Sequence, residues 1–154
     1  MIHAACPYLK LNELGMNENA VEILLVEDNP NDVELTLHAF KRNYIFNHLH
    51  VVRDGAEALE FLFCTGAYAE RSIQNPPKVI LLDLKLPKVN GLEVLHRIKQ
   101  DPRTQAIPVV VLTSSRKEPH ITESCRMGVN NYIVKPMDFE KFTKAVNQIR
   151  LCWL

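Results

Sequence analysis

Short apolar runs alternate along the chain with longer amphipathic stretches. Runs of strand length, rich in β-branched and large aliphatic residues, occur at Val21 to Val26, His48 to Val52, Val79 to Leu82, Val109 to Leu112 and Tyr132 to Val134. The stretches between them carry helical spacing. Asp32 to Asn43 sets Val33, Leu37, Phe40 and Tyr44 on one stripe, Gly91 to Gln100 sets Leu92, Leu95 and Ile98, and Asp138 to Arg150 sets Phe139, Phe142, Val146 and Ile149. Another helix is expected to end near Cys64. Pro30, Pro87 and Pro119 fall at or just before expected helix starts, where a missing N–H is harmless. Thr65 to Pro77, with Gly66, Asn75, Pro76 and Pro77, breaks the rhythm and reads as a surface loop with room for one helical turn. Continuously apolar strands alternating with helices predict an α/β fold, a doubly wound five-stranded parallel sheet covered on both faces.

At 154 residues the chain is long enough for one domain. We place that domain at residues 21–150, with a weakly patterned N-terminal arm at 1–20 and an apolar tail at 151–154. Lys plus Arg and Asp plus Glu number 18 each, so no global basic field is available to hold nucleic acid. The charge is nonetheless polarised, with 5 basic and 11 acidic residues in 1–77 against 13 and 7 in 78–154. Solvated helix faces account for this simply, and a basic face for a partner is the sharper reading. No apolar run approaches the ~18 residues that span a bilayer, and the first residues lack the pattern of a secretion signal, so a cytoplasmic protein is expected, with no membrane contact. Cys6, Cys64, Cys125 and Cys152 are widely spaced, which predicts reduced thiols acting mostly as small core residues.

Ligands of a parallel α/β sheet bind outside the carboxyl ends of its strands. Those ends read Glu27-Asp28-Asn29 after the first strand, Asp83-Leu84-Lys85 after the third, Thr113-Ser114 after the fourth and Lys135-Pro136 after the fifth. Singly, each is as well explained by a cap or a turn. Together they bring three carboxylates, a hydroxyl and an ammonium to one edge of a sheet deduced from hydrophobicity alone. Crowded carboxylates repel unless a cation joins them, and a sparse all-oxygen set suits Mg²⁺. With the charge so neutralised, Asp83 is a competent nucleophile toward a phosphoryl donor, while Lys135 and Thr113 are placed to meet phosphoryl oxygens.

This joint pattern, with Leu86-Pro87 and Asn90-Gly91 downstream of Asp83, resembles the CheY-like receiver domains of two-component signalling over about residues 20 to 150. The resemblance implies a flavodoxin-like fold and phosphorylation of Asp83 by a histidine kinase. It implies Mg²⁺ held by Asp28 and Asp83 directly, by Glu27 through water and by the backbone carbonyl of Lys85. It further implies catalytic help from Lys135 and Thr113, a cis peptide before Pro136 that aims the lysine, and a switch in which Tyr132 turns inward as Thr113 moves. Glu27 stands where Asp is frequent in the family, and Asn90 where Asp is usual; the acceptor set is intact. The segment Glu27 to Asp32 and the long loop before Val79 are most similar to the small response regulators paired with cyanobacterial phytochromes, which implies a phytochrome-type kinase as partner.

Other functions share such a sheet. A flavodoxin needs an uncharged, hydroxyl-rich phosphate loop where this chain has Glu-Asp-Asn-Pro-Asn-Asp. A phosphatase of the haloacid dehalogenase type needs a general acid two residues after its nucleophile, where this chain has Lys85. A receiver-shaped binding module that never cycles phosphate is the third alternative. With no DNA-binding domain after residue 150, output is expected through a changed protein surface. A homodimer is expected on the face of the fourth helix, fifth strand and last helix, with Leu151, Cys152, Trp153 and Leu154 either joining it or folding back on their own domain.

Overall fold

The computed structural model describes residues 21–45, 47–113, 118–135 and 138–154. The N-terminal arm with Cys6, and the positions Ser114, Arg116, Lys117 and Pro136, lie outside them. The order is β1 (Ile23–Val26), α1 (Pro30–Arg42), β2 (Leu49–Val52), α2 (Gly55–Phe63), a 3₁₀ turn (Gly66–Tyr68), β3 (Val79–Asp83), α3 (Gly91–Gln100), β4 (Val109–Thr113), α4 (Glu118–Arg126), β5 (Asn131–Val134) and α5 (Phe139–Trp153). The strands form one parallel sheet in the order β2-β1-β3-β4-β5. The expected doubly wound fold is therefore present, and the loop before Val79 carries its single helical turn.

Alternation along the strands divides the core in two. Leu24, Val26, Ile80, Leu82, Val109 and Val111 point to the side covered by α2 and α3, where they meet Leu62, Leu95 and Ile98. Ile23, Leu25, Val79, Leu81, Val110 and Leu112 point to the side of α1 and α5, against Phe40, Phe142, Val146 and Ile149. Burial on both faces explains why β1, β3 and β4 read as unbroken apolar runs.

Local chemistry fixes the helix starts. The Asn29 side chain accepts from the N–H groups of Asn31 and Asp32, with Pro30 at the first helical position of α1. Asp54, Asn90 and Asp138 cap α2, α3 and α5 in the same way. Pro87, expected near a helix start, instead lies in the loop before the Asn90 cap.

Two expectations are corrected. The buried residues of α1 are Val33, Thr36, Ala39 and Phe40, whereas Leu37 is exposed and Tyr44 lies beyond the helix end, 82% exposed. A 3.6-residue period carries the inner face from 33 through 36 to 40, and Thr36 can occupy it because its hydroxyl donates to the Asp32 carbonyl at 2.8 Å. Among the described residues the cysteines are not core residues: Cys64 is half-buried and Cys125 and Cys152 are exposed. Cys64 ends α2 in the left-handed conformation, and the inward positions beside the other two belong to Ser124 and to Ile149 with Trp153. The tail residues Leu151 to Trp153 continue α5, and Trp153 and Leu154 pack on the chain's own core, leaving Leu151 68% exposed.

Candidate functional site

The order β2-β1-β3 makes the carboxyl ends of β1 and β3 the point where the connections diverge to opposite sides of the sheet, the crevice in which such folds bind ligands. Glu27 and Asp28 leave β1 there. The Glu27 N–H donates to the Val52 carbonyl at 3.0 Å, extending the β1–β2 ladder by one residue and turning the side chain inward, where it is 1% exposed. Asp28 faces outward. Asp83 closes β3, 5% exposed, with its backbone held in register opposite Leu112 of β4. The next N–H group but one, that of Lys85, donates to Asp83 Oδ1 at 3.0 Å and fixes the carboxylate's rotation.

Thr113 is buried at the end of β4, and its carbonyl accepts the Lys135 N–H at 2.6 Å. This bond delivers the lysine from the end of β5 into the crevice. Its ammonium bonds to Glu27 Oε2, lies 3.0 Å from Asp32 Oδ2 and stands 3.6 Å from Asp83 Oδ2. Tyr132 is 42% exposed on the outer surface of β5.

Gly91 shapes the floor. A Cβ there would fall 2.4 Å from the Asp83 carbonyl oxygen and 2.4 Å from Leu84 Cα, so only glycine lets α3 begin this close to the end of β3. The Gly91 N–H donates to the Leu84 carbonyl at 2.9 Å across that contact.

One oxygen from each of Glu27, Asp28 and Asp83 can be chosen so that all lie within 4.8 Å of one another. Oxygens sharing one small divalent cation at ~2.1 Å stand about 3–4 Å apart, so these three carboxylates are near enough to offer it a set of hard donors. Burial, reinforced by the facing Asp83 carboxylate, pushes Glu27 up to about 7 despite the pull of Lys135. Burial works against the Lys135 charge, yet the Glu27 hydrogen bond and the fields of Asp83, Glu27 and Asp32 hold its ammonium above the usual lysine range. A pocket that opposes the Glu27 charge and secures the Lys135 ammonium is suited to a divalent cation and an anion together.

The structure thus brings together Glu27, Asp28, Asp83 and Lys135, with Thr113 and Lys85 adjacent through backbone bonds, and leaves Tyr132 outside. Asp32 escaped the sequence reading. The available signal was its position three residues after the Asn29 cap, on the first turn of the helix that leaves the site.

Comparison with known proteins places the chain in a family. Residues 23–147 match the response regulator receiver domain family. The chain belongs to that family. Among similar receivers is response regulator Rcp1 of a Synechocystis species, 43% identical over 132 residues that span 86% of this chain and 88% of Rcp1. The Mn²⁺-bound form of Rcp1 superposes with a TM-score of 0.76 at 42% identity, over 86% of this chain and 93% of Rcp1's. The phosphorylated cyanobacterial phytochrome response regulator RcpA gives 0.76 at 42%, over 85% and 91% of the two chains. Receivers bind a divalent metal through an acidic cluster, and the one here comprises Glu27, Asp28 and Asp83. As a receiver the chain implies interaction with a histidine kinase. Among the described residues no helix is long and apolar enough to cross a membrane.

Proposed function

We propose that this receiver accepts a phosphoryl group on Asp83 from the phosphohistidine of a phytochrome-type histidine kinase, in a Mg²⁺-dependent reaction in the cytoplasm. The observation that carries the reading is the convergence on Asp83 of two further carboxylates within cation reach and of one ammonium. Asp83 and Asp28 would bind the metal directly, Glu27 through water, and the carbonyl of Lys85 would add the last protein ligand. Bound Mg²⁺ supplies neutralisation of the carboxylates and of charge on the transferring group. Asp83 Oδ attacks phosphorus as the histidine N–P bond breaks, and the imidazole departs protonated at its other nitrogen. Lys135 then pairs with the new phosphoryl oxygens, and Thr113 donates its hydroxyl to one of them.

Movement of Thr113 is then read outward through the partly exposed Tyr132, whose ring turns into the space vacated along β4 and β5. The face of α4, β5 and α5, with Tyr132, Arg126, Lys141 and Lys144 exposed on it, then pairs with a second copy and presents a new surface to a downstream protein. Turnover of an external phosphoester is disfavoured because Lys85, two residues after Asp83, is an exposed cation rather than an acid. The test is incubation with acetyl phosphate or with a purified phytochrome kinase. We expect one acid-stable, base-labile phosphate per chain with Mg²⁺, none with EDTA and none in Asp83→Asn. Incorporation in Asp83→Asn at the wild-type rate refutes the assignment, and continuous phosphate release in its place favours a phosphatase.

A further inference from the structure

The Lys135 ammonium has three carboxylates in range, and the one it should serve is the one it least touches. Asp83 Oδ2 is 3.6 Å away, beyond a hydrogen bond, whereas Asp32 Oδ2 accepts at 3.0 Å and Glu27 Oε2 accepts as well. Asp32 is available because the start of α1 is satisfied without it. An acid at the third helical position ordinarily reaches back to the N–H of the cap residue, but the Asn29 N–H donates to Glu27 Oε1 at 3.2 Å. The two Asn29-capped N–H groups, those of Asn31 and Asp32, are likewise provided for. The Asp32 side chain therefore extends from a fixed helix turn to the lysine.

The two contacts differ in how readily they can be given up. Glu27 is buried and cannot exchange Lys135 for water. The Asp32 side chain is 32% exposed, so its carboxylate can be rehydrated when the lysine leaves.

We infer that Asp32 is a positioning residue that holds Lys135 in an idle place beside the crevice and surrenders it when a phosphoryl group arrives on Asp83. This rests on the phosphoacceptor reading above. In that reading a phosphoryl dianion on Asp83 outbids a partly solvated carboxylate for the same ammonium. Asp32 thereby sets how much of the phosphoryl group's attraction is used in displacing the lysine and how long it then stays.

Two measurements on the full chain test this. The first needs no phosphate: ¹⁵N relaxation of the lysine ammonium groups in wild type, Asp32→Asn and Asp32→Glu. The Lys135 order parameter is expected to fall in Asp32→Asn and to recover in Asp32→Glu; a signal as ordered in Asp32→Asn as in wild type overturns the inference. The second is Mg²⁺-dependent phosphorylation over a range of acetyl phosphate concentrations. Asp32→Asn is expected to raise the maximal rate about two- to fivefold, the scale of a partly exposed ion pair, with a smaller change in the donor concentration at half-maximal rate. Loss of general negative charge alone would change that concentration and leave the maximal rate, which also overturns the inference. The gain must vanish when Asp32→Asn is made in a Lys135→Met background, and its persistence there counts against the inference. Failure of wild type to take phosphate at all defeats the phosphoacceptor reading instead, while the relaxation result still decides whether Asp32 holds the lysine.

Discussion

Replacing Glu27 by Gln should stabilise the metal-free protein at alkaline pH and leave it little changed in mild acid. In the unfolded chain this carboxyl titrates near the ordinary glutamate value of 4.5, and in the folded chain it is pushed up to about 7, because burial and Asp83 oppose its charge. Between those pH values the folded state binds more protons than the unfolded one, so stability falls as pH rises through the interval and the full penalty is present above it. At ~1.4 kcal/mol per pH unit the penalty at pH 8 amounts to about 3 kcal/mol. Gln is nearly isosteric, but Glu27 accepts the Asn29 N–H on one oxygen and Lys135 on the other, so the single carbonyl of Gln keeps one of these bonds and its amide N–H group faces the other donor. The lost hydrogen bond offsets part of the relieved charge penalty, so the expected gain is about 1–2 kcal/mol at pH 8, shrinking toward zero near pH 5. Urea unfolding in EDTA at the two pH values, with the denaturant slope unchanged, measures it. With millimolar Mg²⁺ the advantage should shrink or reverse, since the wild-type carboxylate is then compensated and the variant binds the cation less well. Equal stability of Glu27→Gln and wild type at pH 8 without metal would refute the electrostatic account of the pocket.

The same protonation competes with metal. Mg²⁺ affinity should weaken as pH falls from 8 to 6 and binding should release a proton, both visible by calorimetry in buffers of different ionisation heat; pH-independent affinity would contradict the raised Glu27 value. Gly91→Ala should destabilise the fold despite alanine's helix preference of about 1 kcal/mol, because its methyl meets the Asp83 carbonyl at 2.4 Å, and it should slow phosphorylation by shifting Asp83. Thermal melting and acetyl phosphate kinetics on one preparation check both. Truncation after Arg150 should cost roughly 2 kcal/mol by removing the half-buried Trp153 and Leu154. Sedimentation of the same truncation, with and without phosphorylation, shows whether the exposed Leu151 also contributes to pairing.

Hydrophobic order alone specified the sheet, since strands buried on both faces leave runs that no helix or turn imitates at that length. It placed Glu27, Asp28, Asp83, Thr113 and Lys135 at one edge because a parallel sheet has only one carboxyl edge. Other features depend on angles that spacing does not encode. The inner face of α1 passed from Leu37 to Thr36 because a hydroxyl that bonds its own helix is tolerated inside. Cys64 left the core because its backbone turns left-handed at the helix end. The hold of Asp32 on Lys135 joins residues 103 positions apart and depends on which group caps the Asn29 N–H, a choice invisible until the Glu27 side chain is placed. The need for glycine at 91 likewise appears only when α3 is set against the end of β3.

Trp153 is the single tryptophan of the chain, and its position determines what light can report. α5 starts beside the carboxyl edge and returns the chain to the opposite one, so after 15 residues at 1.5 Å each the indole stands about 20 Å along the helix from its first turn. Half-buried there against the core, it should dim or shift when that end of the domain melts and stay indifferent to a cation entering the far crevice. Intrinsic emission is therefore a clean optical gauge of folding in this molecule and a blind one for its metal. A fluorophore introduced near Tyr132 would be needed to watch the chemistry.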